Sequence, residues 1–244
     1  AKRNLRIVDQ LLDRSSKQEQ PCGLNQRYRN LLIAIRTLVS QQTVMYKTRI
    51  HRVQDRIVNL HQPHVRPIVR GKAGAAVEFG AKVAISLENG YSRIEKLSWD
   101  PFNEATTLME TVERYRDRHG YYPEAIMADR IYRNRDNLAY CKQHGIRMSG
   151  PRLGRPIANM AIKKAEKRLE QQDARERNAV EGKFGEGKRK YSLSRIMARL
   201  KETAECVIAM QFFVMNLEHK LRVLFVQIFN MLFRREITTV LVEI

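Results

Sequence analysis

Apolar residues recur at three- and four-residue spacing along most of this chain and change to strict alternation in one short stretch. Leu5, Val8 and Leu11/Leu12 mark a short amphipathic helix over 2–14. Ser15-Ser16 and then Pro21-Cys-Gly23 are expected to break it. Over 24–52 the apolar positions Tyr28, Leu31, Ile35, Leu38 and Met45 follow a heptad-like spacing. Two helices across a Pro/Gly turn predict an antiparallel helical hairpin with a packing role, since it carries no carboxylate cluster or histidine ligand pattern.

Pro63 and Pro67 disfavour helix at the residues before them, so 61–67 is read as extended. Arg70-Gly-Lys-Ala-Gly74 reads as a flexible basic loop; it lacks the Gly-Lys-Ser/Thr ending of a phosphate-cradling P-loop. His51, His61 and His64 match no metal-ligand spacing and are read as structural or surface residues. Val83, Ile85 and Leu87 then alternate with Lys82, Ala84 and Ser86, and Asn89-Gly90 supplies the turn of a β-hairpin returning over 91–97. A helix is expected over 103–118, with stripe Ala105, Leu108, Met109, Val112 and Tyr115 and with Gly120 at its end. An apolar strand over 123–128 ends in Asp129; a helix over 134–144 closes at Gly145, and 146–149 is a further strand. The order predicts mixed α/β, with a buried strand 123–128 paired parallel to its neighbour through a crossover helix.

Past a basic Gly/Pro linker over 150–156, a polar helix over 160–183 carries Glu181. The stretch 203–233 is rich in Val, Ile, Met, Phe and Leu. Polar residues from Gln211 to Arg222 interrupt it before a membrane-length run accumulates, so it reads as a buried core helix. The tail 236–244 is β-prone.

Composition narrows the partner. The chain of 244 residues carries 45 Lys+Arg against 26 Asp+Glu, a formal charge of +19, which favours a polyanion, nucleic acid before an anionic membrane. Between 147 and 201 there are 16 Lys/Arg and 6 Asp/Glu, a net of +10, so about half of the excess lies in that one segment. Cys22, Cys141 and Cys206 are odd in number and far apart, and read as reduced thiols rather than a disulfide frame or zinc site. The chain opens on Ala1 and shows no signal peptide, so its N-terminus reads as a truncation or processing point.

The candidate chemistry sits inside the basic segment. Arg177-Asn-Ala-Val-Glu181-Gly-Lys-Phe-Gly-Glu-Gly-Lys188 surrounds a carboxylate with spaced cations and glycines, and Asp129 lies upstream at a strand end, where open α/β sheets bind ligands. Two carboxylates on separate elements suit a hard divalent ion held against phosphate, although many other Asp/Glu pairs satisfy that criterion.

Arg177, three residues, Glu181, six residues, Lys188 resembles the Tyr-x2-Arg-x3-Glu-x6-Lys signature of the DDE transposases of bacterial insertion sequences. Ala128-Asp129-Arg130-x-Tyr132 looks like the second-aspartate motif of that family, and the likeness covers about 60–235. The resemblance implies an α/β, RNase H-like mixed sheet flanked by helices, and cutting and joining of DNA at transposon ends with Mg2+ (or Mn2+). It implies Asp129 and Glu181 as catalytic metal ligands, and Arg130, Arg177, Lys183, Lys188, Arg189 and Lys190 as DNA-binding residues. Double-stranded DNA, as transposon ends and target, is the expected partner, with a homodimer in the DNA complex and no membrane. The expected place is the bacterial cytoplasm, at the nucleoid.

Two departures stand out. Ala174 takes the place of the signature's Tyr, and no β-strand carrying an Asp is read ahead of residue 77, Asp55 being the only nearby candidate. The expected division is therefore a helical hairpin over 1–60, inserted between the first and second strands, then the remainder of an RNase H-like domain over 61–235 and a tail over 236–244. On this reading the first strand and its Asp are missing and the fragment is inactive. A non-catalytic nucleic-acid-binding protein, a structural RNA-binding protein of ribosomal type, and a metal-dependent nuclease are the competing classes.

Overall fold

A computed structural model describes residues 1–17, 24–72, 75–150 and 160–240. It is a mixed α/β chain of six α-helices and six β-strands among those residues. Two compact units divide it: Ala1–Lys82 with Ser98–Pro101 and Arg199–Lys201, and Val83–Leu97 with Phe102–Ala198 and Glu202–Ile244.

The first unit holds α1 (Lys2–Lys17) and α2 (Gln26–Thr48). Contrary to expectation, Ser15-Ser16 lies inside α1, because serine costs a helix only a few tenths of a kcal/mol; the Pro21-Cys-Gly23 break falls outside the described residues. Asn25 caps α2 by accepting from the Tyr28 N–H, and Arg49 closes it in the left-handed region. The two helices meet through the Asp9–Arg36 ion pair. Gln41 of α2 reaches the following segment, accepting from the Ile57 N–H at 3.0 Å and donating to the Asp55 carbonyl at 3.0 Å. The basic stretch read as a loop is instead part of a strand: β1 (Arg66–Lys72) pairs antiparallel with β2 (Ala75–Gly80). No Asp lies on β1. Buried Ile57, Val65, Ile68 and Trp99 form this unit's apolar interior, with His64 edge-on to Trp99 at 4.3 Å.

The second unit opens with the expected hairpin, β3 (Lys82–Glu88) and β4 (Tyr91–Ser98), joined by Asn89 and Gly90 at φ 50° and 84°. Gly90 is required, since a Cβ there would meet the His219 ring at 2.4 Å. α3 (Leu108–His119), led by a 3-10 turn at Glu104–Thr107, buries Ala105, Leu108 and Val112 and ends on Gly120 at φ 79°. α4 (Arg135–Gln143) starts from the Asn134 cap and leads into the last strand. β5 (Ala125–Ile126) and β6 (Arg147–Met148) pair parallel through α4, as the crossover pattern predicts. The strand read over 123–128 is shorter, Ala125–Ile126, and only half-buried. Leu108, Val112, Cys141 and Ile146 form the core, covered by Tyr122, Ile126, Tyr132, Tyr140 and Met148. Cys141 and Cys206 are both free thiols.

Two helices depart further from the sequence reading. α5 (Met160–Lys190) runs about two turns past Lys183, straight through Gly182, Gly185 and Gly187. A Cβ at Gly187 would stand 3.0 Å from Leu193 and 3.4 Å from Met215, so the glycine there leaves room for their close packing. α6 (Lys201–Val240) is not a buried core helix: Ala204, Ile208, Phe212 and Met215 are buried, but every residue over 221–233 is exposed. Its helix continues to 240, so the part of the tail at 236–240 is helical rather than β. Among the described residues no helix is long and apolar enough to cross a membrane.

Candidate functional site

The site is built at the end of the parallel pair. Ser149 extends the ladder by donating its N–H to the Ile126 carbonyl at 2.9 Å, and its hydroxyl accepts from the Ala128 N–H at 3.1 Å. The chain is thus held up to the residue before Asp129. Asp129 itself is extended (φ −66°, ψ 159°) and leads a 3-10 turn at Arg130–Tyr132, with its carbonyl accepting from the Tyr132 N–H at 3.0 Å. Buried Asn137 braces that turn, donating to the carbonyls of Tyr132 at 2.8 Å and Ala105 at 2.9 Å. Burial raises the Tyr132 phenol above its ordinary value, with Glu104 adding to the shift. A rigid backbone therefore presents a carboxylate that is itself 64% exposed.

α5 is held against the same sheet by Arg147 of β6. Its guanidinium donates to both oxygens of Asp173, at 2.7 and 3.0 Å, and Asp173 is 5% exposed. Hydrogen bonding to Asp173 raises the Arg147 pKa, against a smaller opposing effect of burial. One turn further along the helix, Arg177 Nε lies 3.2 Å from Asp129 Oδ1. One turn beyond that is Glu181, exposed. Asp173, Arg177 and Glu181 are spaced by four and so share one stripe of α5, and Lys188, seven residues on, returns to it. The structure thus brings Asp129 to Arg177 and sets Glu181 on the same helical face.

Other sequence candidates divide. Arg130 is exposed beside Asp129, and Lys188, Arg189 and Lys190 are exposed at the end of α5. Lys183 is different: its side chain is 10% exposed and its Nζ lies 3.4 Å from Glu186. Burial works against ionisation of Glu186, but Arg222 at 3.2 Å and Lys183 outweigh it and hold its pKa below the ordinary value. Asp55 belongs to the first unit, in a turn at φ 52°, with Arg66 at 3.8 Å. The Arg147–Asp173 clamp escaped the sequence reading, yet its signal was present: an Asp four residues ahead of Arg177 repeats the four-residue step from Arg177 to Glu181.

Asp129 and Glu181 offer the hard carboxylate oxygens that Mg2+ takes. Among the described residues no three His, Cys, Asp or Glu side chains gather as a metal site, so the donor set suits the ion in kind and is short in number.

Residues 126–218 match the family of the transposase DDE domain, a stretch running from β5 into α6 that contains Asp129, Arg177, Glu181 and Lys188. Over that stretch the chain is similar to a transposase DDE domain. No curated protein matches the chain, and no solved structure does. Half-buried Ala174 stands at the signature's Tyr position.

Proposed function

We propose that this domain acts in DNA cleavage and strand transfer at the ends of an insertion sequence, with Asp129 and Glu181 as the acids that hold divalent metal. The observation that carries this reading is the Arg177–Asp129 pair, which ties the signature helix to the strand end within the family-matched stretch. The β3–β4 hairpin followed by a parallel β5–α4–β6 unit supports an RNase H-like arrangement. Asp129 and Glu181 would hold Mg2+ or Mn2+, and the ion would supply activation of a water or hydroxyl oxygen attacking a phosphodiester and charge stabilisation of the oxygen that leaves. Arg177 holds the Asp129 carboxylate in place and offsets its charge. Lys188, Arg189, Lys190 and Arg130 supply the positive surface that draws a phosphate backbone toward the acids, while Lys183, held by Glu186, is assigned to packing.

With two acids at the site, one short of the three this chemistry uses, the chain alone is inactive in strand transfer. Calorimetric titration with Mn2+ tests the ligand assignment. Asp129→Ala and Glu181→Ala are each expected to abolish saturable binding while affinity for a short random duplex at fixed salt stays the same or rises. Unchanged Mn2+ binding in both variants overturns the metal reading and leaves a nucleic-acid-binding protein. Strand joining by the unmodified chain in Mg2+ overturns the inactivity.

A further inference from the structure

The second half of α6 carries a pattern that the DNA reading does not use. From Met210 to Met231 apolar residues recur at alternating steps of four and three, the heptad spacing of a coiled-coil seam. The a positions are Val214, Leu221 and Ile228, and the d positions are Met210, Leu217, Leu224 and Met231. All seven are exposed, by between 41% and 65%. This direction is set by the opposite face of the helix, where Ile208, Phe212 and Met215 are buried. Asn216 there bonds Ser92 of β4, donating to its carbonyl at 2.7 Å and accepting from its N–H at 2.9 Å. His219 meets the Asn89 carbonyl at 2.9 Å. The helix is thus anchored on one side as far as His219, with the first turns of the seam on the other, and over 221–233 the whole helix is exposed.

We propose that this seam pairs with the same seam of a second copy of the chain as a parallel two-stranded coiled coil. The pattern is self-complementary, so one sequence supplies both sides. Two of three a positions are β-branched and two of four d positions are Leu, the combination that favours two parallel strands. Three heptads at ~1.5 Å per residue give a seam ~30 Å long. With Phe213 at a g position and Phe225 and Leu232 at e positions, also exposed, the strip offers on the order of 800 Å2 per partner, the scale of a stable interface. Charges border its middle turn rather than fill it: Glu218 at an e position and Lys220 at a g position flank Leu221, and Arg222, at a b position, is engaged by Glu218 and by Glu186. The family match ends at residue 218, within the seam, so it does not account for the exposed turns beyond.

Light scattering and sedimentation of the full chain across ~1–100 μM give the test, the span in which an interface of this size associates. A dimer is expected, converted to monomer by Leu221→Glu, a substitution at an exposed position that leaves helical circular dichroism unchanged. In a Cys22→Ser, Cys206→Ser background, Leu224→Cys at a d position is expected to cross-link to its own copy on mild oxidation, and Asn230→Cys at a c position is not. A monomer at every concentration overturns the proposal. So does a dimer that survives Leu221→Glu, equal cross-linking of the two cysteine variants, or a monomer that binds phosphatidylcholine vesicles through this face.

Discussion

Two arginine–aspartate pairs lie one helical turn apart along α5, and they do different work. Arg147 grips buried Asp173 with two parallel hydrogen bonds, at 2.7 and 3.0 Å. Arg177 meets exposed Asp129 through a single 3.2 Å contact. A buried carboxylate without its partner is a large penalty, whereas an exposed ion pair contributes little to stability. The first pair therefore sets where α5 lies on the sheet, and the second leaves Asp129 open to another cation. Residues of one chemical type are sorted by burial into a clamp and a site.

The comparison breaks most visibly at the clamp. Arg147→Ala strands the Asp173 carboxylate, and since the guanidinium is partly exposed the cost is set at about 2–3 kcal/mol, below that of a fully buried pair. Urea denaturation reads this directly, and thermal melting should show a drop of roughly 4–12 °C for a chain this size. A loss under about 0.5 kcal/mol, the range of an ordinary surface change, would place Asp173 among such pairs and remove the contrast.

Arg177→Ala is expected to have the opposite profile. Stability falls by less than about 1 kcal/mol, as for other exposed pairs. Mn2+ affinity at Asp129 rises by up to about fivefold, since a unit charge at ~4 Å contributes ~1 kcal/mol in water. Weaker Mn2+ binding on removing Arg177 would show that it positions Asp129 more than it competes for it.

The smallest effect concerns a third pair on the same helix. Glu186, held by Arg222 and Lys183, keeps its proton less readily when folded than its ordinary value of 4.5 describes. The unfolded chain binds that proton more tightly, so the pair's contribution is complete above about pH 4.5 and is lost as pH falls through the lowered folded value. Stability measured from pH 6 to pH 3 should show an acid-side loss that Glu186→Gln reduces by up to about 1 kcal/mol. An unchanged acid limb in that variant would mean that Glu186 does not join α5 to α6 in this way.

Much of the second unit's local structure was legible because it is written in residues with one dominant conformational use. Asn89-Gly90 turned the hairpin and Gly120 closed α3, each where spacing placed it. Asp129 was correctly set beyond a strand that pairs parallel through a helix. The β1–β2 hairpin was hidden by Pro67 and Gly71, residues that weaken strand propensity yet are tolerated in an isolated two-stranded pair. α5 runs through three glycines, and at Gly187 the reason lies in the close packing of Met215 and Leu193, which lie outside the helix's own local pattern.

By itself, then, the sequence determined the mixed α/β order, the charge that seeks a polyanion, and the Arg177–Glu181–Lys188 spacing that carries the family likeness. Those depend on composition and on contacts within a few residues. Tertiary structure alone decided which arginine is a clamp and which borders the site, that Lys183 turns to Glu186, and that the apolar half of α6 faces outward. Each of these depends on which surface of a helix meets another element. Periodicity shows that a stripe exists, and only packing shows what, if anything, covers it.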